Sequence, residues 1–226
     1  MNKLLETAAG IELLPATTPK ASVIWLHGLG ADGNDFAPIV PELQLPPDWP
    51  VHFVFPHAPM RAVTINNGYV MRAWFDIPSM NIDQRVDEKG MEESVSTVIE
   101  LIKKEESLGV PRDQIFLAGF SQGAAVVLRT FLHLDHAIGG VLALSGYLPN
   151  ATAFIANSHP QVKTTPLFIA HGTEDTIVPY TLGLTAYDAF KRAGFTVDWH
   201  SYSMAHSVCA EEVQDISKWL KRSHAV

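Results

Sequence analysis

Four short apolar runs, at residues 22–26, 52–55, 114–118 and 167–170, each stop at a turn signal, and helical periods stand between them. The runs are continuous rather than alternating, which is the pattern of strands buried on both faces of a parallel sheet. A looser run at 137–144 and another at 196–202 extend the series. The clearest helix is 88–108, where Met91, Val95, Val98, Ile99 and Ile102 fall on one face. Asp87 is placed to cap it, Gly109 to end it and Pro111 to stop it. Further helices are expected at about 122–133, at 180–193 closed by Gly194, and at about 208–222. Strand and helix alternate to the end, so the expected architecture is a three-layer α/β fold. Its sheet is mostly parallel, with helices on both faces.

The chain has 226 residues, a length that suits one α/β domain over 1–226 and leaves no room for a separate cap domain. Hydrophobic residues make up 47% and charged residues 18%, enough for a core without disulfides or metal. The formal net charge of −8 excludes nucleic acid as the main partner, because no basic field exists to displace counterions from phosphates. It also argues against electrostatic docking on anionic membranes. A single cysteine, Cys209, forms no intrachain disulfide and suits a reducing cytoplasm. The Met-Asn-Lys-Leu-Leu start is interrupted by Glu6 and Pro15, so no signal-peptide core forms. The longest mostly apolar stretch, 137–148, is too short to span a bilayer. A soluble cytoplasmic protein without membrane insertion is the expectation.

Residues 61–85 resist the alternation. They contain Trp74, Phe75, Ile77 and Met80 but keep no period, so they are expected to be irregular. The segment is too apolar for a solvated loop, and it reads either as a stretch packed on the core or as a flap over a binding site.

Gly119-Phe120-Ser121-Gln122-Gly123 carries the chemistry. A strand precedes this G-x-S-x-G motif and a helix follows it, the setting of a nucleophile elbow. The helix N-terminus beneath the serine favours developing negative charge. A serine hydroxyl needs a base, and the base needs an orienting carboxylate, in the chain order Ser, acid, His. Asp175 lies just past the run 167–170, and His206 lies between the last strand and the last helix. Both stand in loops at the carboxyl ends of strands, where an open α/β sheet builds its sites. Asp188 and Asp198 fall inside regular elements, whereas Glu174 beside Asp175 stays open on spacing. His171 and His200 belong to strands and His224 to the tail. No metal-ligand spacing occurs among the 10 histidines, and His133 and His136 are only neighbours at a helix end, so no metal is expected. An oxyanion needs two donors. The amide of Gln122, after the nucleophile, supplies one, and the amide of Leu29, between Gly28 and Gly30 in Trp25-Leu26-His27-Gly28-Leu29-Gly30, supplies the other.

Together these residues resemble the phospholipase/carboxylesterase family of small α/β-hydrolases, which includes the acyl-protein thioesterases. The resemblance covers nearly the whole chain. It rests on Leu26-His27-Gly28-Leu29-Gly30 with Asp32 and Gly33, on Arg72-Ala73-Trp74-Phe75-Asp76 and on the elbow. Further blocks are Leu144-Ser145-Gly146-Tyr147-Leu148-Pro149, His171-Gly172 through Asp175 with Val178-Pro179, and Met204-Ala205-His206. The resemblance implies a Ser121–Asp175–His206 triad, an oxyanion hole from Leu29 and Gln122, and no cofactor. It also implies an acyl groove at Leu29, Trp74, Phe75, Ile77, Tyr147 and Ile177. The implied activity is hydrolysis of short- to medium-chain carboxylic esters, with acyl thioesters or lysophospholipids as the alternative substrates. Tyr147 and Ser207-Val208-Cys209 look like the bacterial branch, and Ala205 departs from the family's usual glycine or glutamate. Fold-mates of the dienelactone-hydrolase kind usually carry a cysteine nucleophile, and peptidases a propeller or cap; neither feature is present. A non-catalytic binding protein on this fold would not need all three triad positions filled. If exposed, Trp74 and Phe75 would instead offer a homodimer interface.

Overall fold

Eight strands hydrogen-bond in the order β1-β2-β4-β3-β7-β8-β9-β10. They are β1 (Lys3–Thr7), β2 (Gly10–Leu14), β3 (Ala21–Leu26), β4 (Val51–Pro56), β7 (Ile115–Phe120), β8 (Gly140–Leu144), β9 (Leu167–Gly172) and β10 (Val197–Tyr202). A separate hairpin pairs β5 (Met60–Val63) with β6 (Tyr69–Arg72). The helices are α1 (Glu88–Ser107), α2 (Gln122–His133), α3 (Ala151–Asn157), α4 (Tyr180–Arg192) and α5 (Ala210–His224). The structure, a computed structural model, describes residues 3–79, 82 and 86–224.

From β4 to β10 every pairing in the large sheet is parallel. Strands β3, β4, β8 and β9 are buried at every residue, and β7 at every residue but Phe120, as their continuous apolar runs predict. Their side chains still alternate between two cores. Ile115 and Leu117 of β7 join Met91, Val95, Val98 and Ile102 of α1 with the apolar faces of α2, α3 and α4. Phe116 and Ala118 face the other way, onto Ile216, Trp219 and Leu220 of α5 and a 3-10 segment, Ala37–Leu43. Helices thus cover both faces and complete the three expected layers.

Helix boundaries follow local chemistry. Asp87 caps α1, its carboxylate accepting from the Gly90 amide at 3.0 Å. Gly109 and Gly194, at φ 90° and 85°, turn the chain out of α1 and α4 in the left-handed region open to glycine. α5 starts at Ala210, two residues later than its sequence pattern suggests.

The pattern gave no warning of β1, β2 or α3. β1 and β2 form an antiparallel hairpin at the sheet edge, and every residue of β1 is exposed, so no buried face shapes its sequence. Residues 61–85 are also more regular than expected. Their first half belongs to the β5–β6 hairpin, closed through Asn67 and Gly68 at φ 56° and 75°. Asn-Gly is itself a hairpin signal, which the broken apolar period obscures. Met80 and residues 81 and 83–85 of this segment lie outside the described residues.

Candidate active site

Ser121 sits between β7 and α2 at φ 55°, ψ −118°, a backbone conformation that costs a non-glycine residue about 1–3 kcal/mol. The surrounding structure holds it there. Its amide donates to the Leu144 carbonyl at 2.9 Å, and its carbonyl accepts from Ala124 at 3.0 Å. Gly119 and Gly123 are needed for close approach: a Cβ on Gly119 would lie 2.4 Å from the Gly123 carbonyl oxygen, and one on Gly123 2.5 Å from that of Leu26.

Three separate loops bring the polar partners together. His206 Nε2 lies 2.8 Å from Ser121 Oγ, and its Nδ1 lies 2.6 Å from Asp175 Oδ2. A carboxylate only accepts, so Nδ1 carries the hydrogen and Nε2 is left to accept from the serine hydroxyl. The other Asp175 oxygen accepts from the Ile177 and Val178 amides, both at 2.9 Å. The Asp175 side chain is wholly buried, and the His206 ring packs on Phe120 with centroids 4.7 Å apart. Glu174 instead accepts from the exposed Ser203 hydroxyl at 2.7 Å, which removes it from this chain of bonds.

The loop after β3 lies against the serine. A Cβ on Gly28 would be 3.4 Å from Ser121 Cβ. Gly30 donates to the Arg72 carbonyl at 2.9 Å and Ala31 to Gly28 at 3.3 Å, while the Leu29 amide joins none of these turn bonds. Gln122 is the first residue of α2, so its amide has no intrahelical acceptor.

Two buried histidines outside the candidate triad shape these loops. His27 Nε2 accepts from the Ala58 amide at 3.1 Å, so Nδ1 donates to the Gly28 carbonyl at 2.8 Å. Burial pushes its pKa down to about 4, and the ring is neutral at pH 7. His171 donates through Nε2 to the Val178 carbonyl at 2.9 Å and bridges the Asp175 loop. Burial lowers its pKa as well, despite Asp175 Oδ2 at 3.4 Å.

A further role falls to the Gln122 side chain, which the sequence reading missed. Its Oε1 accepts from the Trp74 amide at 2.9 Å and its Nε2 donates to the Phe75 carbonyl at 2.7 Å. Trp74 Nε1 in turn donates to the His27 carbonyl at 2.9 Å. The elbow, the glycine loop and the segment around Trp74 and Phe75 are thereby stitched together. The motif announced the backbone of Gln122, but no local signal showed what its side chain would face.

The groove positions divide. Trp74 and Phe75, 1% and 2% exposed, are core, which corrects the expectation of a dimer surface there. Tyr147 is buried in the same core cluster, Leu29 and Ile77 are half-buried, and Ile177 is 68% exposed.

The family model described as phospholipase/carboxylesterase matches residues 13–224. Acyl-protein thioesterase 1 of Candida albicans is 39% identical over 215 residues, covering 91% of this chain and 93% of that protein. Carboxylesterase SOBER1 of Arabidopsis thaliana is 34% identical over 203 residues, covering 88% and 89%. The crystal structure of Zea mays acyl-protein thioesterase 2 superposes with a TM-score of 0.83 at 30% identity, covering 99% of both chains. With a serine at a strained strand–helix turn and a match along almost its full length, the chain belongs to the phospholipase/carboxylesterase family and is a carboxylic ester hydrolase.

Proposed function

We propose that the protein is a serine carboxylesterase that cleaves short- to medium-chain esters by two acyl-transfer steps. The observation that carries this reading is the bonded series Asp175–His206–Ser121, with Ser121 on the elbow. His206 Nε2 takes the hydroxyl proton as Ser121 Oγ attacks the ester carbonyl. Asp175 fixes the imidazole tautomer and stabilises its cation. The Leu29 and Gln122 amides receive the oxyanion. His206 then protonates the departing alcohol, and in the second step it activates water against the acyl-enzyme.

Chain-length preference follows from the surface available. Ile177, Leu29 and Ile77 offer accessible apolar contact, whereas Trp74, Phe75 and Tyr147 are buried. Among the described residues no cap domain lies over the site, so the acyl chain rests on this surface and the flap. Among the described residues no helix is long and apolar enough to cross a membrane. The unpaired Cys209 supports a reducing, cytoplasmic setting.

A second reading, hydrolysis of acyl thioesters, is favoured by relatives named acyl-protein thioesterases. The same atoms would perform it, with a thiol as leaving group. A p-nitrophenyl ester series from short to long chains, run beside an acyl thioester, separates the two by kcat/KM. Ser121→Ala is expected to lower kcat on p-nitrophenyl esters by about 10⁴-fold or more and to abolish fluorophosphonate labelling. Retention of most activity would sink the triad assignment.

A further inference from the structure

Glu212 is fully buried in the first turn of α5, and neither of its carboxyl oxygens has a hydrogen-bond partner. A carboxylate in that setting is strongly disfavoured, so the residue is held as the neutral acid. Among the described residues its surroundings supply no cation. Tyr202 of β10 stands nearby and donates its hydroxyl to Asp215 Oδ2 at 3.1 Å. Asp215 also engages Lys218 at 2.8 Å and lies 3.6 Å from His200, so the local positive charge is spent there. The 3-10 segment packed on α5 has Glu42 as its only ionisable residue, and that side chain is exposed. The β9 residues beside α5, Phe168 and Ala170, are apolar. Cys209 completes the titratable neighbours. Its amide faces the carboxyl and favours the ionised form, outside hydrogen-bond geometry, but burial outweighs it and raises the pKa to about 8.

The position matters because of what precedes it. His206 stands in a short connection from Ser203 to Cys209. The β10 end of that connection is pinned: Met204 donates to the Tyr202 carbonyl at 2.9 Å and Glu174 donates to the Met204 carbonyl at 3.1 Å. Its other end is the N-terminus of α5. Glu212 is the third residue of that helix, the place from which a carboxylate reaches back to the residue before the helix, here Cys209. On ionising, the buried group needs a donor, and the free amides of this helix end are the donors within reach.

We propose that Glu212 is a positioning residue for His206. As a neutral acid it leaves the 203–209 connection holding the imidazole on Ser121. As a carboxylate it draws the start of α5 toward itself and moves the imidazole out of line. This inference rests on His206 being the general base.

The test measures kcat and KM for p-nitrophenyl butyrate from about pH 6 to about pH 10 in the wild type, Glu212→Gln and Glu212→Met. Alongside, the low-field proton on His206 Nδ1 and the carboxyl carbon of ¹³C-labelled Glu212 are followed by NMR. In the wild type kcat is expected to fall about 5-fold or more above about pH 8 with KM little changed, and the low-field proton to shift over the same range. Both variants should lose that alkaline fall. The same fall in the variants, or a Glu212 carboxyl that titrates in the ordinary glutamate range, would overturn the inference. If neither variant folds, the two wild-type titrations decide it: coincident midpoints support coupling and separate midpoints refute it. Failure of the triad reading shows elsewhere, as activity persisting in Ser121→Ala, while the low-field proton reports the connection whether or not the enzyme turns over.

Discussion

Gln122 serves two ends of the site through different atoms. Its backbone amide is a proposed oxyanion donor, and its side chain replaces a missing strand partner for Trp74 and Phe75. Truncation would leave a buried amide and a buried carbonyl unpaired. Gln122→Ala is therefore expected to cost about 2–4 kcal/mol of stability, read by urea unfolding. A loss below about 0.5 kcal/mol would mean that water or relaxation replaces both bonds. The sequence exposed this residue only in part. A motif specifies backbone geometry over five positions, whereas the partner lies 48 positions away in the chain. His27 and His171 show the same limit. Their pKa values fall because the fold buries them, and the orientation of each ring depends on the Ala58 amide and the Val178 carbonyl, groups that the fold brings to them.

At the scale of elements, the N-terminus of α1 is tied through Asp76 to the β5–β6 hairpin. One Asp87 oxygen caps the helix at Gly90, and the other accepts from the Asp76 amide at 3.0 Å. Asp76 in turn accepts from the amide and hydroxyl of Thr64, at 2.7 and 2.6 Å, at the turn after β5. Asp87→Ala is expected to cost about 1–2 kcal/mol through the lost cap. It should also speed proteolytic nicking between α1 and the β5–β6 hairpin. Limited proteolysis that leaves this region as resistant as in the wild type would argue against the tie. The cap itself was legible, because Asp before a long helical period has a local cause. The hairpin was legible only in its Asn67-Gly68 turn, since exposed Tyr69 and Val70 break the inward pattern that usually marks strands.

For the whole molecule, buried titratable groups set how stability depends on pH. His27 has a folded pKa of about 4, below its ordinary 6.5. Between these values the unfolded chain binds a proton that the folded one refuses, so this contribution is lost as pH falls from about 6.5 to about 4. His171 acts in the same direction. Glu212 acts oppositely. Its folded pKa of about 8 lies above the ordinary 4.5, so stability drains as pH rises between them. Glu212→Gln should therefore gain in Tm over the wild type steadily from about pH 5 to about pH 8 and level off beyond. A pH-independent offset in calorimetry would show that Glu212 is ionised in the fold.

The sequence by itself determined the parallel sheet, because strands buried on both faces must be apolar throughout and leave an unmistakable run. It also determined the order of the candidate triad, since each member follows a strand at the sheet's carboxyl edge. Tertiary structure alone decided which of Glu174 and Asp175 points inward, what the Gln122 side chain faces, and that Trp74 and Phe75 are core. Each of these depends on distant chain segments meeting, and such meetings leave no period or spacing in either segment alone.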